Sequence, residues 1–398
     1  MPVIINDTSL LLGRELDYVE RGHLVIKDGK IKSAEPGSYS GSGKALDGKG
    51  FLIIPGFINA HTHVADSIGK DIAAGRDLDA RVNPVFGAKK KILEKSRPEH
   101  LRAFIRNTAI SMMKKGIVSF ADFREGGPEG VRLLRDALVG LPIKCVALGR
   151  TNHYGSPSGN DRLPPEAERE AREVLELAEG MGISGANENT DAALAQYRQL
   201  SAGKLLAIHA AESNDTVGFS KVHTGRSEVE RILQFMKPDF VVHMTRSTDE
   251  EIAHVAKNGS AVVVCPRANG VLGAGIPRVA KMLRLGCLLA IGTDNVMLNS
   301  PDMTREMDYL WKASRATEDG TMLEAREILK MATVNAAQIL RLNSGCIEQG
   351  RAADLIFIDK RHVDLYPMHD PYASIVHRLG QSSIRSVMID GRFVGAFN

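Results

Sequence analysis

The sequence predicts an α/β fold: a (β/α)8 TIM-type barrel with a small β-sandwich domain formed from both chain ends. Three observations carry the prediction. Short apolar runs alternate with charge-rich helical segments through the middle of the chain, the pattern of βαβ units around parallel strands. Both ends consist of short strands punctuated by Asp-Gly turns. A length of 398 residues suits one large barrel and a minor companion domain.

Taken in order, residues 1–54 read as the N-terminal part of the small domain. HLVIKDGKIKSAEPG sets two strands around Asp28-Gly29, a hairpin signal because a two-residue type I′ turn needs positive φ at both central positions. The barrel is expected over 55–344. Its strands are INAHTHV, GIVSFADF, IKCVALG, the weaker GISGAN, LLAIHA, FVVHM, SAVVVCP and CLLAIGTD. RAFIRNTAISMMKKG, PEAEREAREVLELAEGMG and LEAREILKMATVNAAQIL read as amphipathic helices, the first two ending at glycines able to form a left-handed cap. Met303, Met307, Leu310 and Trp311 follow helical spacing and read as core. From 345 to 398, DLIFID, SVMID and GRFVGAF repeat the strand pattern around Asp390-Gly391, forming the C-terminal part of the small domain.

Composition excludes more than it names. Hydrophobic content of 43% and charged content of 25% are those of an ordinary soluble protein, and a formal charge of +3 is too small to indicate nucleic acid. No run approaches the roughly 20 apolar residues that span a bilayer, and the N-terminus lacks a basic segment followed by an apolar stretch. A cytoplasmic protein with a small-molecule substrate, and no membrane or nucleic-acid partner, is expected; a homo-oligomer is compatible with this. Cys145, Cys265, Cys287 and Cys346 are scattered without a C-x-x-C pair, which argues against a disulfide framework or a thiolate zinc site. They read as buried small hydrophobes.

The chemistry sits at the strand ends. In PGFINAHTHVAD, alternation along a strand puts Asn59, His61 and His63 on one face. His209 ends the fifth strand, His243 the sixth and Asp294 the eighth, the end at which barrels of this kind carry function. Any one of these histidines alone reads as a hydrogen-bonded core residue. Together at one mouth they form a ligand set. Neutral imidazoles and a carboxylate suit Zn²⁺ or Fe²⁺ and leave a coordination position for water.

PGFINAHTH, IHAAE, VVHM, IGTDN and the closing TVNAAQIL…GCIEQGRAADLIFID together resemble the amidohydrolase superfamily over nearly the whole chain. The resemblance implies that His61, His63, His209 and Asp294 hold one divalent metal and that His243 sits beside the bound water and substrate. Glu212, three residues after His209, could by position alone be a solvated first-turn glutamate. H-x-x-E after the fifth strand resembles the branch containing cytosine-, guanine- and adenosine-type deaminases, chlorohydrolases and imidazolonepropionase, where this glutamate protonates a ring nitrogen. The expected catalytic residues are therefore Glu212, His243 and Asp294.

The resemblance implies that a second metal, as in the hydantoinase and dihydroorotase branches, would be bridged by a lysine near the fourth strand, and GISGANENT has none; Glu188 could bridge two metals as a glutamate does in some relatives, but reads as a loop residue. Arg124, His153, Arg267 and Asn269 follow strand ends and are the expected substrate contacts. The long segment VADSIGKDIAAGRDLDARVNPVFGAKKK reads as a lid, with Lys89, Lys90 and Lys91 on a solvated helix face. The expected reaction is release of ammonia from a purine, pyrimidine or triazine-like ring. Hydrolysis of a cyclic amide or amide, and a non-catalytic scaffold, are the competing expectations. The zinc cytidine-deaminase pattern is excluded, because Cys265-Pro266 lacks the second cysteine motif.

Overall fold

The computed structural model describes residues 1–318 and 323–394. The barrel strands are Phe57–His63, Ile117–Arg124, Lys144–Gly149, Gly180–Ile183, Leu205–Ala210, Phe240–His243, Ala261–Val264 and a broken eighth, Leu289–Ile291 with Asp294–Asn295. Every neighbouring pair is parallel. Runs such as AVVV at 261–264 are wholly buried, because helices cover the outside and side chains fill the inside of a parallel barrel.

Closure depends on the break in the eighth strand. Gly292 N–H donates back to Val264, while Thr293 N–H donates across to the His61 carbonyl, 3.1 Å away. Asp294 then lies opposite Thr62 and Asn295 opposite His63. A Cβ on residue 292 would stand 2.6 Å from the His61 Cβ, so only glycine allows this crossing. Asn59 clamps the seam: its amide donates to Thr293 Oγ1 at 2.8 Å, and its carbonyl accepts from Thr293 N–H at 3.0 Å.

Strands from both chain ends form one eight-stranded sheet. Phe51–Pro55 runs antiparallel to Leu355–Asp359 and joins the N-terminal strands to the C-terminal ones. Leu10, Leu24, Ile31, Ile53, Leu355 and Met388 form part of its own apolar core. Both Asp-Gly turns have positive φ at both residues, as hairpins of this length require.

Four expectations about elements change. The fourth strand is Gly180–Ile183, and Ser184–Asn187 of GISGAN lies beyond it. Correspondingly, helix Pro165–Leu177 does not end at a left-handed glycine. Gly180 is a strand residue, against which the Leu205 carbonyl packs so closely that a Cβ would meet it at 2.0 Å. LEAREILKMATVNAAQIL forms two helices, Ala325–Met331 and Val334–Ile339, because Thr333 leaves helical geometry. Of GRFVGAF only Arg392–Phe393 pairs as a strand, and residues 395–397 lie outside the described residues. Met303, Met307 and Leu310 are buried as expected, and Trp311 is half-buried with its indole N–H on the Leu323 carbonyl. Among the described residues, no helix is long and apolar enough to cross a membrane.

Candidate metal centre

The strand ends bring His61, His63, His209, His243, Glu212 and Asp294 to one point inside the barrel mouth. His61 Nε2 lies 3.3 Å from His209 Nε2 and 3.3 Å from Asp294 Oδ1, and His63 Nε2 lies 3.6 Å from the same carboxylate oxygen. The outer ring nitrogens of His209 and His63 are engaged elsewhere, whereas His61 Nδ1 is buried without a partner. His209 Nδ1 meets the Ile183 carbonyl at 3.1 Å, and His63 Nδ1 meets the Phe123 carbonyl at 3.1 Å and Glu125 Oε1 at 2.9 Å. Those acceptors assign the proton to Nδ1, so the Nε2 lone pairs face inward beside a carboxylate. Electron-pair donors gathered in this way suit a divalent cation, and the set chosen from sequence fits one.

The electrostatics agree. Burial lowers all four imidazoles below their ordinary value, His63 to about 3, which keeps them neutral and able to donate electron pairs. For Asp294, burial acts upward but is outweighed by His61, His243 and His63, and the carboxyl is held low. Glu212 goes the other way: burial and the Asp294 charge push it up to about 8. Its Oε2 is 3.6 Å from His243 Nε2. Cys265 also approaches His61 and Asp294, but burial pushes its thiol well above the ordinary range, so it is not a thiolate ligand.

The backbone is strained where these groups converge. Ala211, His243, Met244 and Asp294 all have positive φ, between 50° and 81°. Such conformations cost of order 1–3 kcal/mol each and persist where the surroundings enforce them.

A cavity of about 110 Å³ opens on His63, His209, Glu212, His243 and Asp294. Part of its wall comes from the segment after the first strand, through Leu78, Asp79 and Lys89. None of the four expected substrate contacts lines it. Arg124 faces a larger neighbouring cavity of about 660 Å³ and reaches Glu125 Oε2 at 3.3 Å. His153 lines neither cavity. Arg267 pairs with the buried Glu306 at 3.3 Å. Asn269 is fully buried and donates to His243 Nδ1 at 3.1 Å, so it contacts that histidine rather than the cavity. Glu188 does reach the cavity wall.

Sequence reasoning missed Glu125 and Lys89. Lys89 is buried, with Nζ 2.6 Å from Glu125 Oε1, so the reading of a solvated face is corrected. Alternation would have found Glu125: Phe123 packs against the His61 ring, and the residue two further on shares its face. Arg124 was singled out although it belongs to the opposite face.

Residues 52–394 match the amidohydrolase family, and the chain belongs to that family. A protein of Methanothermobacter thermautotrophicus that carries an aminohydrolase name is 39% identical, covering 98% of this chain and 99% of its own. The 5-methylthioadenosine/S-adenosylhomocysteine deaminase of Thermococcus sibiricus is 28% identical over 99% and 94% of the two chains. A zinc-bound adenosine deaminase from Xanthomonas campestris superposes with a TM-score of 0.83 at 21% identity, covering 98% and 92%, and so shares the fold.

Proposed function

We propose that this chain is a metal-dependent aminohydrolase that replaces the amino group of a purine-like ring with oxygen and releases ammonia. One observation carries the reading: Glu212, a carboxyl whose burial raises its pKa, stands beside His63, His209, His243 and Asp294 on the wall of one cavity, 3.6 Å from His243 Nε2. The deaminase names of relatives matching nearly the whole chain support the substrate class. His61, His63, His209 and Asp294 would hold a single Zn²⁺ or Fe²⁺, since the fourth strand and the residues that follow it, GMGISGANENT, carry no lysine to bridge a second ion.

When bound, such an ion lowers the pKa of its water to about 7 and so supplies a nucleophile at neutral pH. The chain's residues do the rest. Asp294 accepts the proton of the attacking water. His243 donates from Nε2 and steadies the negative charge that develops on oxygen as the amino-bearing carbon becomes tetrahedral. Glu212 gives its proton to the adjacent ring nitrogen. Glu212, now ionised, takes the proton of the new hydroxyl while the proton held by Asp294 passes to the amine; the C–N bond breaks as the C=O forms, ammonia leaves, and both carboxyl groups return to their starting states.

Ammonia release measured over adenosine derivatives, aminopurines, aminopyrimidines and aminotriazines tests this reading. Wild-type protein is expected to deaminate a member of the adenosine or aminopurine class. Glu212→Gln should lower turnover by about 10²–10⁴-fold with metal content unchanged. Metal-loaded wild type that releases no ammonia from any of them, or a Glu212→Gln variant with full turnover, would overturn the proposal.

A further inference from the structure

The buried charge cluster behind His63 has a structure of its own. Three groups from separate parts of the chain converge on Glu125 Oε1: it is hydrogen-bonded to His63 Nδ1 at 2.9 Å and ion-paired with Lys89 Nζ at 2.6 Å and Arg150 Nη2 at 3.2 Å. Its second oxygen faces Arg124 Nη2 at 3.3 Å. Lys89 is not a barrel residue. It stands on helix Ala88–Lys95, in the segment that walls the cavity between the first strand and helix Pro98–Lys114. Its other acidic neighbour, Asp66 at 4.0 Å, accepts from the Met297 backbone just beyond the eighth strand.

This arrangement has a directional consequence. Without Lys89, Oε1 would keep only His63 and the more distant Arg150, while Arg124 draws on Oε2. Lys89, at 2.6 Å the nearest cation to Oε1, supplies the strongest pull on the oxygen that meets His63. A carboxylate so placed makes an imidazole a better electron-pair donor and fixes the ring plane. His63 also has the Phe123 carbonyl as an acceptor, so the proton stays on Nδ1 in either case; what Glu125 adds is charge and orientation.

We propose that Lys89 is a positioning residue for the metal centre: from the cavity-wall helix it holds Glu125 against His63, so that seating this segment and presenting His63 Nε2 to the ion occur together. The inference concerns metal binding and rests on the reading above for His63 as a ligand and for what the metal is used for.

The test is Zn²⁺ affinity of chelator-stripped full-length protein, measured by competition with a chromophoric chelator in the absence of substrate. Lys89→Met should weaken binding by about 10-fold to 100-fold, and Lys89→Arg, which keeps the cation, should recover most of the loss. The melting temperature of the stripped Lys89→Met protein should match wild type within a few degrees. Wild-type affinity in Lys89→Met would overturn the proposal, as would equal weakening in the Met and Arg variants. If Lys89→Met does not fold, Glu125→Gln decides: it preserves shape and an acceptor oxygen but removes the charge, and unchanged affinity there overturns the proposal. A KM increase in Lys89→Met with kcat and Zn²⁺ affinity intact would make Lys89 a substrate contact instead. Failure of the ammonia assay leaves these zinc measurements unaffected, so the two readings fail separately.

Discussion

The barrel mouth and the terminal sheet obey local rules to different degrees. In the terminal sheet, positive φ at Asp28 and Asp390 falls in hairpin turns that require it, each followed by glycine, and otherwise on Leu16 in the turn before the second strand and on Asp7 at the register shift of the first. Among the described residues, no buried unpartnered side-chain atom lies on its strands. At the mouth, positive φ falls on Ala211, His243, Met244 and Asp294. Atoms such as His61 Nδ1, Asp66 Oδ2, Asp122 Oδ2 and Arg150 Nε are buried without a hydrogen-bond partner. A fold gains nothing in stability from such groups. Where positive φ and unpartnered polar atoms coincide at the barrel's strand ends, local consistency gives way to chemistry.

The contrast is broken most severely by removing a ligand. Asp294→Asn keeps the volume and the strained backbone position but removes the charge facing His61 and His63. Bound metal is expected to fall to background by elemental analysis, and turnover by more than about 10³-fold. Full metal content in this variant would remove Asp294 from the ligand set.

In the terminal sheet the reverse result is expected. Leu24 is fully buried between its neighbours on the sheet, and Leu24→Ala should cost about 2–5 kcal/mol of unfolding free energy. Metal content and kcat of the folded fraction should be unchanged. A loss of kcat without a loss of stability would mean that the two regions are coupled.

A third comparison uses pH. Glu306, behind Arg267, is pushed up to about 8 by burial, against the opposing pull of Arg267. Between its ordinary value of 4.5 and about 8, the folded chain holds a proton that the unfolded chain has released. Folded-state stability therefore falls as pH rises through that window; below 4.5 and above 8 this group adds no further pH dependence, and above 8 the loss is complete. Glu306→Gln removes the effect. The variant's stability relative to wild type should rise from pH 4.5 to 8, by at most a few kcal/mol at about 1.4 kcal/mol per pH unit. Parallel pH profiles of denaturant midpoints would show that Glu306 stays ionised.

Much of this was legible in the sequence because two periodicities carry it. Apolar runs marked seven barrel strands, and the polar residues at their ends marked His61, His63, His209, His243 and Asp294. The fourth strand was misplaced because GMGI has almost no side-chain pattern; Gly180 and Gly182 serve close packing against Leu205 and Phe123 instead. Lys89 was misread for a different reason. A lysine within KKK on a short helix looks solvated unless its distant partner is known, and Glu125 is supplied by another strand.

Asn269 gives the smallest and most discriminating expected effect. Sequence position suggested a substrate contact, whereas the structure sets its amide N–H on His243 Nδ1. With the amide oriented in this way, the His243 proton lies on Nε2, toward Glu212 and the cavity. Asn269→Ala leaves both tautomers open, and the productive one is then populated only part of the time. We expect kcat to fall about 10-fold, equivalent to roughly 1.4 kcal/mol, with KM and metal content close to wild type. A variant in which KM rises while kcat holds would have lost uniform substrate binding, returning Asn269 to the role its position in the chain suggested.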